Sequence, residues 1–575
     1  MWWPSLPYIR TWTNFWILGM AYAFFCWSIF ILYCLYYQLS KIRIYYIRKK
    51  RIVHKQDDLT MHLPGSRLFH RLDYVIRIPY VTDMISLKQI AGILLFSLIN
   101  LYFIFFVCPY EPAPYHLAIL DRRAAFTGMV DLGLVFFFAQ RNSLLPKICG
   151  LTFEELIPFH RIFARIGFLN FVPHLVYRVW DGYIKKYSIY DAFFFNKEYT
   201  TGTIATAVYI VMFATSLEYI RRHHFELFYY CHIVFLIPAI VFTCWHYPTC
   251  LAFYTPAVAL WLADRVVRSY KSWIIKPSFV QVEQVTAQTA TQEGIVRILF
   301  QSKLLNNFKP GQYIFAAIVI NKHKFWEYLN WHPFTISKVF ETHQQDVIHI
   351  EETATSLVNE ITNLNESSKL LQHKISSVHI KSLGTKTQDL LNASVDNNKL
   401  SNDLKIYIDG LYGPQLPYQD YPILALFATG IGVTPALAII QDIVKKRSKG
   451  VRTIVSDRIY LCWAIRVSDE IDPFMEMFTE WENQIKTAVL PIHLSVDIYI
   501  TRMKRQSHPI GQYKGFKLKF GERPQVDTEM EKIKVENKHR YRVWAHVCGS
   551  TPFTRNVINA ALRVNFHVHH ETFEF

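Results

Sequence analysis

Four histidines could do chemistry together in this chain: His160, His174, His232 and His246. They form two pairs, each 14 residues apart, in the apolar stretches LIPFHRIFARIGFLNFVPHLVY and LFYYCHIVFLIPAIVFTCWHY. On a helix that spacing is just under four turns, so each pair shares one face with an axial separation of ~21 Å. A membrane interior is about 30 Å thick, which puts one histidine of each pair near each leaflet. Two such helices side by side could clamp one haem near each surface through axial imidazoles, and so carry electrons across a bilayer. A lone histidine in an apolar helix is more often a packing residue. Ionisable groups inside membranes are costly and usually functional, however, and the repeated spacing favours ligation.

A second group of motifs lies in the C-terminal half. FATGIGVTPALAII places Gly430 and Gly432 between an apolar strand and a helix that opens at Thr434 and Pro435. Glycine there lets a backbone approach a pyrophosphate, and a helix N-terminus offers free N–H groups. The same turn could serve only tight packing. WHPFTIS could set His332 near a phosphate and Phe334 and Thr335 against a flavin, or could be an ordinary His-Pro turn. DGLYGPQ, Asp409 to Gln415, could cradle phosphate or close a hairpin. HVCGSTPF sets Cys548 and Gly549 at a strand end, where the thiol could meet a nicotinamide or simply be a small buried residue. The order of the four motifs carries more weight than any one of them.

These residues need a scaffold in two parts. The chain has 575 residues, 51% hydrophobic and 16% aromatic, too long and too apolar for one soluble domain. Its net charge of +17 need not mean nucleic acid, because membrane proteins carry Lys and Arg on cytoplasmic flanks. Nine cysteines are scattered without a CxxC, so neither a disulfide framework nor a zinc site is expected. The first apolar stretch, Phe15 to Tyr37, is too long for a signal peptide and runs into KIRIYYIRKKRIVHK, as a retained anchor would.

Seven spans are expected, near 14–37, 89–108, 125–144, 155–179, 202–220, 226–247 and 250–266. The basic segment around Arg48–Arg51, together with Arg221, Arg222, Arg265, Arg268, Lys271 and Lys276, fits one topology. In it everything after residue 270 is cytosolic, His160 and His232 form the inner pair, and His174 and His246 the outer. Beyond residue 277 strand-like runs begin: FVQVEQV, EGIVRILF, QYIFAAIVI, DVIHIEE and LKIYIDG. A polar tract at about 360–403 reads as a surface insertion, and alternating strands and helices then suggest a parallel α/β domain with a second, charged insertion at about 503–540.

With these motifs on view, the chain resembles the ferric reductase and NADPH oxidase superfamily, particularly the ferric-chelate reductases of fungi, over roughly 90–575. The family's two His-x13-His pairs are matched by His160/His174 and His232/His246. RRHHFELFYYCHIV is similar to its Arg-Arg…Phe-Glu segment. Its flavin motif is matched by His332, Pro333, Phe334 and Thr335, with PGQYIF as the upstream strand. Its glycine turn is matched by Gly410, Tyr412 and Gly413, with Leu411 in place of the usual proline. Its nucleotide motif is matched by Gly430, Gly432, Thr434 and Pro435. Its Cys-Gly-Pro motif is matched by Cys548 and Gly549, with Ser550 for proline. Arg466 stands where the family meets the 2′-phosphate of NADPH. Phe573, near the chain end, would stack on the flavin. The run IEETATSLV lacks the glycine usual before the pyrophosphate-binding threonine.

The resemblance implies a multi-pass helical membrane domain of about seven spans, a bis-haem bundle. A ferredoxin-reductase-like module would follow, an antiparallel β-barrel for FAD and a parallel-sheet domain for NADPH. The boundaries expected are an anchor helix and basic loop at 1–88, a haem domain at 89–270, an FAD domain at 277–418 and an NADPH domain at 419–575. The implied activity is NADPH-dependent reduction of ferric or cupric chelates across a plasma or endoplasmic reticulum membrane, through FAD and two b-type haems. No side chain need act as general acid or nucleophile, because the cofactors carry the chemistry. Two alternatives remain open at this point: reduction of O2 to superoxide, and a haem-bearing membrane scaffold or ion conductor without turnover.

Overall fold

The computed structural model describes residues 15–54, 71–79, 82–106, 117–141, 148–186, 188–275, 277, 279–284, 294–321, 323–342, 373–382, 384–395, 404–503, 508–538 and 542–571. The chain divides into two units at Val267/Arg268.

The first unit is built from seven long helices: α1 (Phe15–His54), α2 (Leu87–Phe105), α3 (Leu117–Phe138), α4 (Phe153–Lys186), α5 (Lys197–Thr215), α6 (Phe225–His246) and α7 (Cys250–Ile274), the last running into the second unit. A hairpin, β1 (Val75–Ile78) and β2 (Thr82–Ser86), precedes α2. Ser86 and Gln89 then start α2 with a capping box, each side chain taking the other's backbone N–H. Among the described residues four helices, α1, α2, α6 and α7, are long and apolar enough to cross a membrane. The third span was expected at 125–144, whereas α3 already begins at Leu117. The polar run Asp121-Arg122-Arg123 hides this start from an apolar-window reading. Arg123 is buried, and its guanidinium donates to the carbonyls of Phe103 and Ile104 at the C-terminal end of α2.

Small residues and buried polar groups hold the helices together. A Cβ on Gly128 of α3 would stand 2.7 Å from the Gly167 carbonyl of α4, so the two backbones touch there. Tyr22 donates to Asp131 at 2.8 Å, Asn100 to Tyr22 at 2.9 Å, and Asn170 to Asn100 at 2.7 Å. That network joins α1, α2, α3 and α4 and satisfies groups that lipid could not.

The second unit opens with a six-stranded antiparallel sheet in the order β3-β4-β7-β6-β5-β8. The strands are β3 (Phe279–Gln284), β4 (Ile295–Gln301), β5 (Tyr313–Val319), β6 (Trp331–Thr342), β7 (His373–Lys381) and β8 (Lys405–Tyr412). A register shift between Ile336 and Lys338 lets the long β6 pair with β5 through its first half and with β7 through its second. Val296, Ile298, Ile314, Ile336, Val378 and Ile406 fill the interior, closed by Leu390 and Leu391 of α8 (Thr385–Val395).

This corrects the reading of 360–403 as an insertion. Residues 373–381 form a strand inside the sheet, and 385–395 a helix on its core. Composition misled because Ser376 and Ser377 of β7 are buried polar residues; Ser337 donates to the Ser377 carbonyl at 2.9 Å. Residues 360–372 and 396–403 of the tract, and the expected strand DVIHIEE, lie outside the described residues.

Next comes a parallel sheet in the order β12-β11-β10-β9-β13-β14, made of β9 (Ile423–Thr429), β10 (Arg458–Ile465), β11 (His493–Ile500), β12 (Phe516–Phe520), β13 (Val543–Cys548) and β14 (His567–Glu571). Its helices are α9 (Thr434–Ser448), α10 (Met475–Lys486), α11 (Val526–Glu536) and α12 (Thr551–Arg563). The first strand, β9, is central, with β10 on one side and β13 on the other. That is a topological switch point, where such sheets bind ligands at their C-terminal edge. The expected insertion at 503–540 is also corrected. It holds edge strand β12 and α11, whose Val526, Met530 and Ile533 are buried at helical spacing. Its lysines looked like solvated charge, but Lys519 pairs with Asp497 at 2.9 Å and Glu529 at 3.1 Å.

Candidate functional site

The helical unit brings the four histidines together in the expected pairs. The rings of His160 and His232 are 6.1 Å apart between centres, and those of His174 and His246 are 6.2 Å apart. Two metal–nitrogen bonds of about 2 Å, with half an imidazole on each side, add to roughly 6 Å. Each pair therefore fits two axial ligands of one haem iron.

The supporting contacts fix which nitrogen is available. His160 Nδ1 lies 3.0 Å from the Val135 carbonyl, His246 Nδ1 2.8 Å from the Glu198 carbonyl, and His174 Nδ1 2.9 Å from Asp121 Oδ2. Those oxygens only accept, so Nδ1 carries the proton and Nε2 keeps its lone pair for a metal. His232 Nδ1 has a longer contact, 3.5 Å, to the Ser216 hydroxyl. Asp121 is itself held by Arg178, at 2.9 and 3.2 Å. Gly202 gives His246 its room, since a Cβ there would press on the ring at 3.0 Å. Sequence reading missed Asp121, Ser216 and Gly202. Only Asp121 left a signal, as a carboxylate in an apolar stretch that needs a buried partner.

In the antiparallel sheet, WHPFTIS is not a turn: Trp331 starts β6. Tyr313 of β5 stands in register with Thr335 on one side and Tyr412 on the other, so one row crosses three strands. Pro333 is opposite Phe315, and Phe334 packs against the core of the sheet. Thr335 Oγ1 and His332 Nε2 are buried without a hydrogen bond to any described residue. Such atoms are costly unless a ligand supplies the partner, and this fits a flavin seated there. Burial, and after it the Lys386 charge, lowers the His332 pKa, so the ring is neutral. Gly410 and Gly413 have φ of 103° and 97°, a conformation that favours glycine. The Leu411 side chain, which replaces proline, packs on the core of the sheet.

At the C-terminal edge of the parallel sheet the two glycines of GIG divide the two readings between them. Gly432 serves packing, since a Cβ would stand 2.7 Å from the Cys548 carbonyl. Gly430 has φ 53° and no atom nearer to a Cβ than Glu470 Oε2 at 3.9 Å, so its face is open to a ligand. Trp463 Nε1 donates to the Gly430 carbonyl at 2.9 Å and pins the turn. Thr434 and Pro435 form the buried first turn of α9. Cys548 is buried beside this turn, and burial, then Glu571, pushes its thiol pKa well up. Gly549 lies against Thr429, where a Cβ would overlap the hydroxyl. Ser550 N donates to that hydroxyl at 3.0 Å, a bond proline could not make. Arg466 is exposed just past the end of β10. Phe573 lies outside the described residues, as does IEETATSLV.

Charge pairs hold the two sheets of the second unit together. Lys381 meets Glu470 at 3.1 Å, and Lys338 meets Glu476 at 3.1 Å and Glu480 at 2.8 Å.

A helical unit with paired histidines, followed by an antiparallel sheet and a parallel nucleotide-type sheet, defines a membrane protein built around flavin and nicotinamide nucleotide. Comparison with known proteins agrees. Residues 124–244 match the family described as ferric reductase like transmembrane component, 279–416 the FAD-binding domain, and 421–562 the ferric reductase NAD binding domain. With these three matches in order over most of its length, the chain belongs to the ferric reductase superfamily. Among curated proteins it is 24% identical over 448 residues to ferric reduction oxidase 7, chloroplastic, of Arabidopsis thaliana, covering 74% of this chain and 54% of that one. It is likewise 24% identical over 433 residues to ferric/cupric reductase transmembrane component 2 of Saccharomyces cerevisiae, covering 71% and 52%. The chain thus spans about half the length of the curated relatives it matches. Among solved structures, ferredoxin-NADP+ reductase from Plasmodium falciparum aligns at 12% identity over 52% of this chain and 95% of that one, with a TM-score of 0.30.

Proposed function

We propose that this protein is a transmembrane metalloreductase that takes electrons from cytosolic NADPH and delivers them to ferric or cupric chelates on the other side of a plasma or endoplasmic reticulum membrane. The observation that carries the reading is the pair of histidine contacts, 6.1 and 6.2 Å between ring centres, one below the other on the same two helices. When bound, FAD converts hydride chemistry into single-electron steps and two b-type haems supply one-electron sites.

The chain's own work is to hold and insulate. His160 with His232, and His174 with His246, would ligate the haems, their Nδ1 protons committed to fixed acceptors. His332, Pro333, Phe334 and Thr335 on β6, with Gly410, Tyr412 and Gly413 on β8, would hold the flavin. Gly430, Thr434 and Pro435 would receive the pyrophosphate, on a turn that Gly432 packs against Cys548, with Cys548 and Gly549 bordering the nicotinamide. Arg466 would meet the 2′-phosphate, and Phe573 would cover the flavin. The membrane part would be a seven-span bundle with the C-terminal half in the cytosol.

The relatives' names, ferric reduction oxidase and ferric/cupric reductase, support metal as acceptor. NADPH oxidation by isolated membranes, compared across ferric chelate, cupric chelate and oxygen, tests it. Chelate-dependent turnover is expected; superoxide formation without chelate reduction would reassign the acceptor. Asn392 is exposed on α8 within an Asn-x-Ser sequon. Its glycosylation in the intact protein would overturn the topology.

A further inference from the structure

Two histidines outside the haem pairs sit where neither the flavin nor the nucleotide reading uses them. His546 of β13 and His569 of β14 stand directly opposite in register, and the next pair on the same face is Cys548 with Glu571. One ligand atom from each of His546, His569 and Glu571 lies within 4.8 Å of the others. The Nδ1 atoms of the two imidazoles are 3.2 Å apart. Two ligands on one tetrahedral ion with bonds of about 2 Å are separated by roughly 3.3 Å, so this contact already has the spacing of a metal edge.

The other nitrogen of His546 also has a potential ligand beside it. His546 is fully buried, and its Nε2 makes no hydrogen bond to any described residue. That atom lies 3.8 Å from Glu571 Oε1. Nδ1 and Nε2 are separate edges of one ring, so a single ion takes His546 through one of them only, with one atom each from His569 and Glu571 inside the 4.8 Å cluster.

We infer that His546, His569 and Glu571 form a binding site for a borderline divalent cation of the Zn2+ class, joining edge strand β14 to β13. Two imidazoles and a carboxylate are a donor set such an ion accepts, with a fourth position left for water. The site is independent of the electron acceptor and of the haem assignment.

The probe is Zn2+ alone, titrated into the chelator-treated, detergent-solubilised full chain. One saturable equivalent is expected, with a nitrogen and oxygen shell showing two imidazoles and no sulfur at the zinc absorption edge. Zinc should raise the Tm of the wild type. His569→Gln and Glu571→Gln should each weaken binding at least about tenfold and abolish that shift. Should His569→Gln fail to fold, Glu571→Gln, on the edge strand and not fully buried, carries the test. The site is refuted by the absence of saturable binding, by titrations unchanged in every folded variant, or by a sulfur ligand, which would place the ion on a thiol.

Discussion

The two units of this protein both bury apolar side chains, but the helical unit also leaves many of its largest ones exposed. In the helical unit Leu32, Leu98, Val234 and Ile237 are among the most exposed residues, whereas Asn100, Asp121 and Asp131 are nearly or wholly enclosed. In the second unit Trp463, Phe474, Phe478 and Trp481 are at or near zero exposure. The solvent explains the difference. Lipid gives apolar side chains no reason to leave it, so the helices are joined by small residues and satisfied polar contacts. Water drives the aromatic residues of the sheet unit inward. A charged group inside the first unit therefore marks a structural or functional contact, whereas one on the surface of the second needs no explanation.

The largest effect expected on this contrast is at the histidines. On the proposed assignment, His174→Ala should reduce haem content from two to one per chain and drop chelate reduction to background, because the His174/His246 site would lose a ligand while His160 and His232 remain. Haem content by absorbance of the purified variant checks it. Retention of two bis-imidazole haems in all four single variants would remove the ligand assignment.

The contrast in burial is tested by a pair of truncations. Trp481→Ala empties a fully buried site and should cost about 3–5 kcal/mol. Val234→Ala, on a face left for lipid, should change stability by less than about 0.5 kcal/mol. Unfolding of the full chain in detergent measures both, and equal losses would break the contrast.

A smaller change is expected at the nucleotide edge. A charge-assisted contact of Arg466 with a 2′-phosphate is worth about 1.5–3 kcal/mol, or roughly ten- to a hundredfold in favour of NADPH over NADH. The ratio of kcat/KM for the two nucleotides should fall by that factor in Arg466→Ala. An unchanged ratio takes Arg466 out of the site.

The last effect is a slope with pH. His379 lies between the two sheets, its ring 4.7 Å from Phe474 and its Nδ1 2.7 Å from the Ser337 hydroxyl. Burial, then the Arg297 charge, lowers its pKa to about 3. The unfolded chain gains this proton near pH 6.5 and the folded chain does not. Stability is therefore complete above about pH 6.5 and falls toward pH 3, by about 1.4 kcal/mol per unit from this group. His379→Asn should flatten the dependence by that amount, and identical slopes would show that His379 is protonated in the fold.

Much of the architecture was legible because it is local. The histidine spacing follows from helix geometry, and the strands FVQVEQV, QYIFAAIVI, PILALFATG and RVWAHVCGS all appear as β-strands. Their apolar content is set by residues a few positions apart. The failures share a cause. β7 and α11 were taken for insertions because their polar residues were weighed without the partners that satisfy them: Ser337 for Ser377, Asp497 and Glu529 for Lys519.

The sequence by itself determined the pairing of histidines on two helices, the order of the flavin and nucleotide motifs and the change from apolar helices to alternating strands, since each depends on spacing along one chain. Only the tertiary structure decided that Asp121 and Arg178 orient His174, that Gly432 serves packing while Gly430 stays open, and that His546, His569 and Glu571 converge. Those relations join residues from different helices or strands. Helix packing and strand register place them, and neither is written in the residues nearby.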